Sequence, residues 1–133
     1  MPLRVLIVDD SDVFLEAARV LLEREGLTVA GVASTSAEAR SQVQALQPQV
    51  VLVDVALGEE NGFELVLQLV EDGLANEAAV ILISTRMTQD FGGLIAESPA
   101  AGFLTKGELS ARAIRRILDG DAPNSSSNTK AGA

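Results

Sequence analysis

Short runs of aliphatic residues recur along the chain at intervals that predict five strands. Three of these runs, at 5–8, 50–53 and 79–83, are continuous and rich in valine and isoleucine. Such runs are typical of strands that are buried on both faces of a parallel sheet. The apolar positions at 28–32 alternate more with small or polar residues, which predicts an edge strand, and a shorter run at 102–105 predicts the fifth.

Between these runs, apolar residues recur at helical spacing, which predicts helices at about 12–25, 36–46, 63–71, 88–97 and 108–118. Gly26 is expected to end the first helix and Ser36 to cap the second. The fourth helix is weakly specified because Gly92 and Gly93 each cost about 1 kcal/mol relative to alanine. The side chains expected to face inward are Phe14, Ala17, Ala18, Leu21 and Leu22 in the first helix and Leu109, Ala113, Ile114 and Ile117 in the last, with Arg112, Arg115 and Arg116 facing outward.

The alternation of strands and helices predicts an α/β fold, a doubly wound five-stranded parallel sheet with right-handed crossovers and helices on both faces. A chain of 133 residues is one domain by length, and we expect that domain to span residues 1–119. Residues 120–133 lack apolar periodicity and are rich in serine, asparagine and alanine. We therefore expect a disordered tail or linker there.

The charge and composition exclude several classes of function. The formal net charge is −9, which argues against nucleic-acid binding because phosphate contacts need basic patches. The chain has no cysteine and no histidine, so disulfides, thiolate metal sites and histidine-based chemistry are excluded. No apolar stretch approaches the roughly 20 residues that cross a bilayer, and the N-terminus does not resemble a signal peptide. We therefore expect a soluble, cytoplasmic protein that binds neither membranes nor nucleic acid.

Polar residues follow four of the predicted strands: Asp9 and Asp10 the first, Asp54 the third, Ser84 the fourth and Lys106 the fifth. Because the carboxyl ends of parallel strands meet at one edge of a sheet, we expect these side chains to lie close together. Three neighbouring carboxylates repel one another unless a cation lies between them, and their oxygens suit Mg²⁺ or Mn²⁺. Each residue alone has an ordinary structural interpretation, such as an N-cap, but their joint occurrence favours a functional site.

In these five residues, in their order and spacing, the chain resembles a response-regulator receiver domain of two-component signalling over residues 3–118. The resemblance implies a flavodoxin-like (βα)5 fold with strand order 2-1-3-4-5. It also implies a signalling receiver and not an enzyme, with no chemistry beyond its own phosphorylation and dephosphorylation. The expected donor is a phosphohistidine on a sensor histidine kinase or phosphotransfer protein.

The resemblance assigns a role to each acidic residue. Asp54 would be the phosphoacceptor, whose carboxylate attacks the phosphohistidine to give an aspartyl phosphate. Asp10, Asp54 and the backbone carbonyl of Ala56 would bind Mg²⁺ or Mn²⁺ directly, with Asp9 holding the ion through water. The ion is needed because a carboxylate cannot approach a phosphoryl group while the negative charges remain unscreened.

Three further residues would detect the phosphoryl group and respond to it. Lys106 would pair with one phosphoryl oxygen, and Ser84 would hydrogen-bond another. Phe103 matches the family's aromatic switch position, where the ring turns inward as the hydroxyl moves. The face made by the fourth helix, fifth strand and fifth helix would then change and bind a downstream protein partner or output domain.

The chain departs from the family's usual pattern at three places. Gly107 follows Lys106 where the family usually has a proline joined by a cis bond, so either a different turn forms or the lysine is held less firmly. Gly58 stands where many members have proline. Thr85 stands where the family generally has alanine or glycine, and together with Arg86 it is expected to form an access gate over the site.

Two other functions remain open. A haloacid-dehalogenase-type phosphatase also uses a strand-end aspartate with Mg²⁺, and Asp10 and Asp12 have its spacing, but Val13 and Phe14 do not fit its motif. A phosphorylation-independent pseudo-receiver would share the fold and act only as an interaction module. Such domains generally lose part of the acid set that is complete here. Mg²⁺-dependent phosphorylation of Asp54 separates the three functions.

Overall fold

The computed structural model describes residues 2–75 and 78–120. Within these ranges five parallel strands form one sheet in the order 2-1-3-4-5, which confirms the predicted fold class and topology. The predicted tail, apart from Gly120, lies outside the described residues. The strands are β1 (Arg4–Val8), β2 (Thr28–Ala33), β3 (Val50–Asp54), β4 (Ala79–Ser84) and β5 (Gly102–Thr105).

In the described part of the chain, five α-helices connect or follow the strands, and four of them begin at a polar cap. The side chains of Ser11, Thr35, Asn61 and Ser110 each accept a hydrogen bond from a backbone N–H of the helix that follows. The predicted cap at Ser36 is wrong by one residue, because the preceding Thr35 is still extended and takes that role. No helix in the described ranges is long and apolar enough to cross a membrane. The helices are α1 (Asp12–Arg24), α2 (Ser36–Leu46), α3 (Gly62–Glu71), α4 (Leu94–Glu97) and α5 (Ala111–Leu118).

The sheet separates two apolar cores because alternate residues of each strand point to opposite faces. On one face, Val5 and Ile7 of β1 pack in a cluster with residues of α1 and α5. On the other face, Leu6 and Val8 pack with residues of α2 and α3. The aliphatic residues of β1 and β3 are fully buried, so the acidic residues at the ends of these strands project from a fixed backbone.

Two helix predictions need correction. The last helix begins at Ala111 and not at 108, because residues 106–108 form a 3₁₀ turn and Ser110 provides the cap. In α1, Ala17 is exposed, contrary to the predicted inward face. The stripe that is buried against the sheet keeps the helical period but consists of Leu15, Ala18 and Leu22.

A short antiparallel hairpin lies between β3 and α3, which the hydrophobic pattern does not indicate. Ala56–Leu57 pairs with Glu60–Asn61, and Gly58 turns the chain at φ 59°. Leu57 is buried. The carboxylate of Glu60 accepts a hydrogen bond of 2.8 Å from Ser36 N, which fastens the hairpin to the first turn of α2.

The β4–β5 connection, residues 85–101, has no fully buried side chain among those described. The helix predicted at 88–97 is interrupted: a 3₁₀ turn, Thr88–Phe91, is separated from the four-residue α4 by Gly92 and Gly93. Gly92 adopts φ 59°, a conformation that side-chain-bearing residues rarely take. The two glycines predict a weak fourth helix, and in the structure this helix is broken into two short helical turns.

Candidate functional site

Asp9 and Asp10 follow β1 at the carboxyl edge of the sheet and differ in their surroundings. Asp9 is fully buried, and its Oδ1 accepts a hydrogen bond of 2.8 Å from Ser11 N at the start of α1. Its Oδ2 is also buried but accepts no hydrogen bond within the described part of the chain. Asp10 is exposed at the mouth of the site. One carboxylate of the pair is thus fixed within the protein, while the other faces solvent.

Asp54 ends β3 beside the β1 pair and is 6% exposed. Its Oδ1 accepts a hydrogen bond of 3.2 Å from Ala56 N in the hairpin. Gly62, at the start of α3, lies against its backbone: a Cβ at this glycine would be 2.1 Å from the Asp54 carbonyl oxygen. No sequence pattern marks Gly62, because the close approach that requires a glycine here arises from the fold.

The three carboxylates converge as predicted. One oxygen from each of Asp9, Asp10 and Asp54 lies within 4.8 Å of the others. Burial and the nearby charge of Asp9 raise the pKa of Asp54 from 3.8 to about 6, although the Ala56 N–H and Lys106 oppose this shift. An all-oxygen cluster of this kind, with one carboxylate exposed to solvent, fits a hard divalent cation.

Lys106 reaches the same cluster from the end of β5. Its Nζ lies 2.5 Å from Asp9 Oδ2 and 3.3 Å from Asp54 Oδ2, and its side chain is only 16% exposed. The buried Asp9 Oδ2 is thus paired with the Lys106 ammonium, although no backbone N–H within the described residues donates to it. Burial disfavours the charged amine, but its contacts with Asp9 and Asp54 outweigh this and raise the pKa of Lys106 above 10.5.

Phe14 is a member of the site that the sequence pattern does not reveal. The Lys106 Nζ lies 4.2 Å from the centroid of the Phe14 ring, a cation–π distance. Phe14 belongs to the first turn of α1, and its helical spacing is that of an ordinary core residue. The signal available in the sequence is indirect: an aromatic residue four positions after Asp10 lies one helical turn from the carboxyl edge.

The turn after Lys106 differs from the cis-proline turn that is usual in the family that the sequence resembles. No peptide bond in the described ranges is cis, and residues 106–108 form a 3₁₀ turn. The carboxylate of Glu108 accepts a hydrogen bond of 3.1 Å from Thr105 N, which closes this turn. Of the two alternatives that the sequence left open, the structure therefore has the different turn, and the lysine still reaches two carboxylates.

Ser84 and the two residues after it lie at the adjacent strand end. Ser84 is buried, and its hydroxyl oxygen accepts a hydrogen bond of 2.9 Å from Arg86 N. Thr85 and Arg86 are both exposed. The Arg86 guanidinium makes no ion pair or hydrogen bond with any other described residue. The structure thus places Ser84 at the edge with the acids, while the role expected of Thr85 and Arg86 stays a prediction.

Phe103 lies on the edge strand β5 and is half-buried. Its ring packs edge-to-face on Phe91, with 5.8 Å between centroids. Phe91 packs in the same way on Phe63, again at 5.8 Å. These three rings, the aromatic trio of Phe63, Phe91 and Phe103, link α3 and β5 to the 3₁₀ turn of the β4–β5 connection.

Comparison with known protein families and curated proteins gives a consistent result. The sequence profile of the response regulator receiver domain family matches residues 5–118. The response regulator GacA of Pseudomonas aeruginosa is 30% identical over 122 residues, which cover 89% of this chain and 56% of GacA. The virulence-factor transcription regulator BvgA of Bordetella pertussis is 30% identical over 105 residues, covering 79% of this chain and 49% of BvgA. The chain spans about half the length of these relatives.

Solved structures share the same architecture. A two-component response regulator of the LuxR family from Aurantimonas sp. SI85-9A1 superposes with a TM-score of 0.77 at 27% identity. The match covers 92% of this chain and 89% of that one. The similarity therefore extends over most of the chain.

Proposed function

Because the chain belongs to the response regulator receiver domain family of two-component systems, we propose that Asp54 accepts a phosphoryl group from a phosphohistidine on a partner kinase or phosphotransfer protein. The observation that best supports this role is the position of the carboxylate. It ends a buried strand at 6% exposure, next to Asp9 and 3.3 Å from the Lys106 amine. A nucleophile held in this way is aimed by the backbone and faces a cation that can receive the charge of the incoming group.

The transfer step forms a bond between an oxygen of Asp54 and phosphorus and breaks the phosphorus–nitrogen bond of the donor. The donor imidazole keeps the electron pair of the broken bond and leaves neutral when its second nitrogen carries a proton. Lys106 moves from the Asp54 oxygen to a phosphoryl oxygen, and the Ser84 hydroxyl donates to another. Because the Ser84 oxygen already accepts from Arg86 N, its proton is free to point toward the phosphoryl group.

Asp10 and Asp54, with the backbone carbonyl of Ala56, are the proposed direct ligands of Mg²⁺ or Mn²⁺, and Asp9 is the ligand through water. When bound, the ion supplies positive charge that offsets the acid cluster and the phosphoryl oxygens. The side chains fit this role because their oxygens already converge within 4.8 Å. The hairpin places Ala56 next to the acids, since its N–H donates to Asp54.

The response is proposed to pass through Phe103 and the aromatic trio to the face formed by α4, β5 and α5. Phe103 is half-buried beside Phe91, so a small shift of its ring changes the support of the 3₁₀ turn. A downstream protein partner, or an output domain in a longer chain, would bind this face. We propose residues 1–119 as the receiver and the residues after them as a tail or linker.

Thr85 and Arg86 are proposed as an access gate, because both are exposed directly after the buried Ser84. In this proposal they narrow the path of small phosphodonors and of the water that hydrolyses the product. Thr85→Ala should then speed both labelling and loss of the phosphoryl group, by less than tenfold for a barrier change of about 1 kcal/mol. Equal rates in the parent and the variant would exclude a gating role for Thr85.

The acceptor assignment is tested by incubating the chain with acetyl phosphate and Mg²⁺ and measuring its intact mass. The parent should gain one phosphoryl group, and Asp54→Ala should gain none. Asp12→Ala, which removes an exposed carboxylate on the nearby helix, is the matched control and should label like the parent. Equal labelling of Asp54→Ala would refute the assignment. No labelling of the parent would favour a pseudo-receiver, and steady release of phosphate would favour a phosphatase.

A further inference from the structure

We propose that Phe14 is a positioning residue for Lys106, holding the ammonium over its ring at the edge of the site. The contact between Phe14 and Lys106 is independent of the proposed function; only the effect of that contact on phosphoryl transfer rests on it. Its physical basis is the distance of 4.2 Å between the Lys106 Nζ and the centroid of the Phe14 ring. The negative face of an aromatic ring attracts a cation at this distance, most strongly where water is excluded.

The burial of both side chains favours a persistent contact between the amine and the ring. The Lys106 side chain is only 16% exposed, so its amine has little water to replace a lost partner. Phe14 is itself partly buried and packs against the core cluster between the sheet and the helices α1 and α5. The ring is therefore fixed by the fold, while the lysine is the long and flexible member of the pair.

The residue after the lysine gives the contact its importance. Gly107 has no atom within 4 Å of the position that a Cβ would take, so no side-chain packing restrains the backbone there. Glycine is also the most conformationally free residue. The 3₁₀ turn sets the backbone of Lys106, and the position of its amine then depends on the groups that the amine contacts, which are Asp9, Asp54 and the Phe14 ring.

The ring differs from the two carboxylates in a way that suits the reaction. When Asp54 is phosphorylated, the oxygen that Lys106 now contacts is altered, and the amine must turn to a phosphoryl oxygen. Phe14 carries no net charge and does not ligate a metal, so it can hold the amine before and after transfer without competing for either. Loss of the ring's attraction should leave the amine less well placed and slow phosphoryl uptake.

A graded change of the ring tests this without altering its shape. Phe14 is replaced in the full chain, by site-specific incorporation, with phenylalanine bearing one, two or three fluorines, which progressively weaken the negative face. The same series is made in a Lys106→Met background. Two quantities are measured: the unfolding equilibrium constant in metal-free buffer, and the rate of labelling by acetyl phosphate with Mg²⁺.

With Lys106 present, each fluorine should favour unfolding, and the full series should change the equilibrium constant and the labelling rate by about two- to tenfold. In Lys106→Met the unfolding constant should not depend on fluorination. Phe14→Tyr, which keeps the ring, should behave like the parent, and Phe14→Leu like the trifluorinated form. The proposal would be overturned if the unfolding constant changed equally with fluorination in both backgrounds, or did not change with it when Lys106 is present. It would also be overturned if the labelling rate did not change along the fluorinated series. If no variant labels at all, the proposed function fails, and the slopes in unfolding still decide whether the ring holds the amine.

Discussion

Two stretches that begin at the carboxyl edge of the sheet are built in opposite ways. The acids follow strands whose aliphatic residues, such as Val8 and Val53, are fully buried on both faces of the sheet. The β4–β5 connection, by contrast, has no buried described side chain and leaves Met87 and Leu94 55% and 50% exposed. The first stretch is held by two cores, whereas the second depends on a few contacts, among them that of Phe91 with its two neighbouring rings.

The difference indicates that the carboxyl edge of the sheet and the β4–β5 connection suit different parts of the proposed function. A nucleophile must be held closely in place, and strand ends fixed by a core provide that precision. A response needs a segment that changes at small cost, and such segments belong to the low-stability parts of a protein. The break at Gly92 and Gly93 lowers the stability of the connection, while the rings of the aromatic trio keep it attached. In the proposed function, phosphorylation of Asp54 at the carboxyl edge of the sheet would then alter the β4–β5 connection and leave the sheet unchanged.

The largest effect is expected from breaking the rigid edge itself. Gly62→Ala would place a Cβ 2.1 Å from the Asp54 carbonyl oxygen, and neither backbone can move far because both are buried. The free energy of unfolding should fall by roughly 3 kcal/mol, at the upper end of overpacking effects. Gly107→Ala is the matched control, since nothing lies within 4 Å of its Cβ position, and should stay within about 0.5 kcal/mol. Denaturant titrations measure the free energy of unfolding of the two variants. Similar losses of stability in both would mean that Gly62 does not lie tightly against the Asp54 backbone.

A smaller effect is expected from removing the charge of Asp54, which is destabilised first by burial and then by repulsion from Asp9. Because the pKa of Asp54 is raised from 3.8 to about 6, the native protein binds this proton more tightly than the unfolded chain. Stability in metal-free buffer should therefore fall as the pH rises across that interval. At pH 7.5, Asp54→Asn should be more stable than the parent by on the order of 1–2 kcal/mol, and this gain should shrink as the pH falls through 6.

Mg²⁺ provides the control for that prediction. A cation that binds the native acids stabilises the parent by mass action and should do so far less in Asp54→Asn or Asp10→Ala. Thermal melts with and without Mg²⁺ measure both effects. An unchanged Mg²⁺ stabilisation in Asp10→Ala would contradict the proposed metal site, and a flat pH profile in the parent would contradict the raised pKa.

The smallest change in global stability is expected in the loose connection. Gly92→Ala introduces a side chain at φ 59°, which should destabilise the connection locally by about 1–2 kcal/mol. Gly93→Ala, one residue later at φ −90°, should be tolerated. Because the connection opens before the sheet does, the global unfolding midpoint should move little in either variant. Faster amide exchange at 88–97 in Gly92→Ala alone is the expected result, and a large fall in the global midpoint would show that the connection is not independent.

The parts of the fold that were predictable are those determined by local pattern. Continuous aliphatic runs such as that before Asp54 define buried parallel strands, and the polar residues after them necessarily meet at one edge. The helix break was foreseeable in kind, because two adjacent glycines weaken any helix, although the form it takes at Gly92 was not. Local pattern therefore predicted the sheet and the convergence of the acids.

What could not be predicted depends on contacts between distant segments. The Phe14 ring has ordinary core spacing, and only the fold brings Lys106, from the other end of the chain, over it. Gly62 is required by a backbone approach that no sequence pattern encodes. The hairpin after β3 has only two residues in each strand, too short for an alternating pattern to indicate. Phe14, Gly62 and the hairpin are nevertheless parts of the site. Sequence therefore predicts which polar residues form the site better than it predicts how they are arranged.

The division between a rigid acceptor edge and a responsive connection is tested most directly by hydrogen exchange. Amide exchange would be followed by mass spectrometry in the parent and in Asp54→Asn, each with Mg²⁺, before and after addition of acetyl phosphate. We expect slow exchange in β1 and β3 throughout, fast exchange at 86–97 before the donor is added, and a change at 86–97 in the labelled parent only. A connection as protected as β3 in both states, or the same change in Asp54→Asn, would contradict the account.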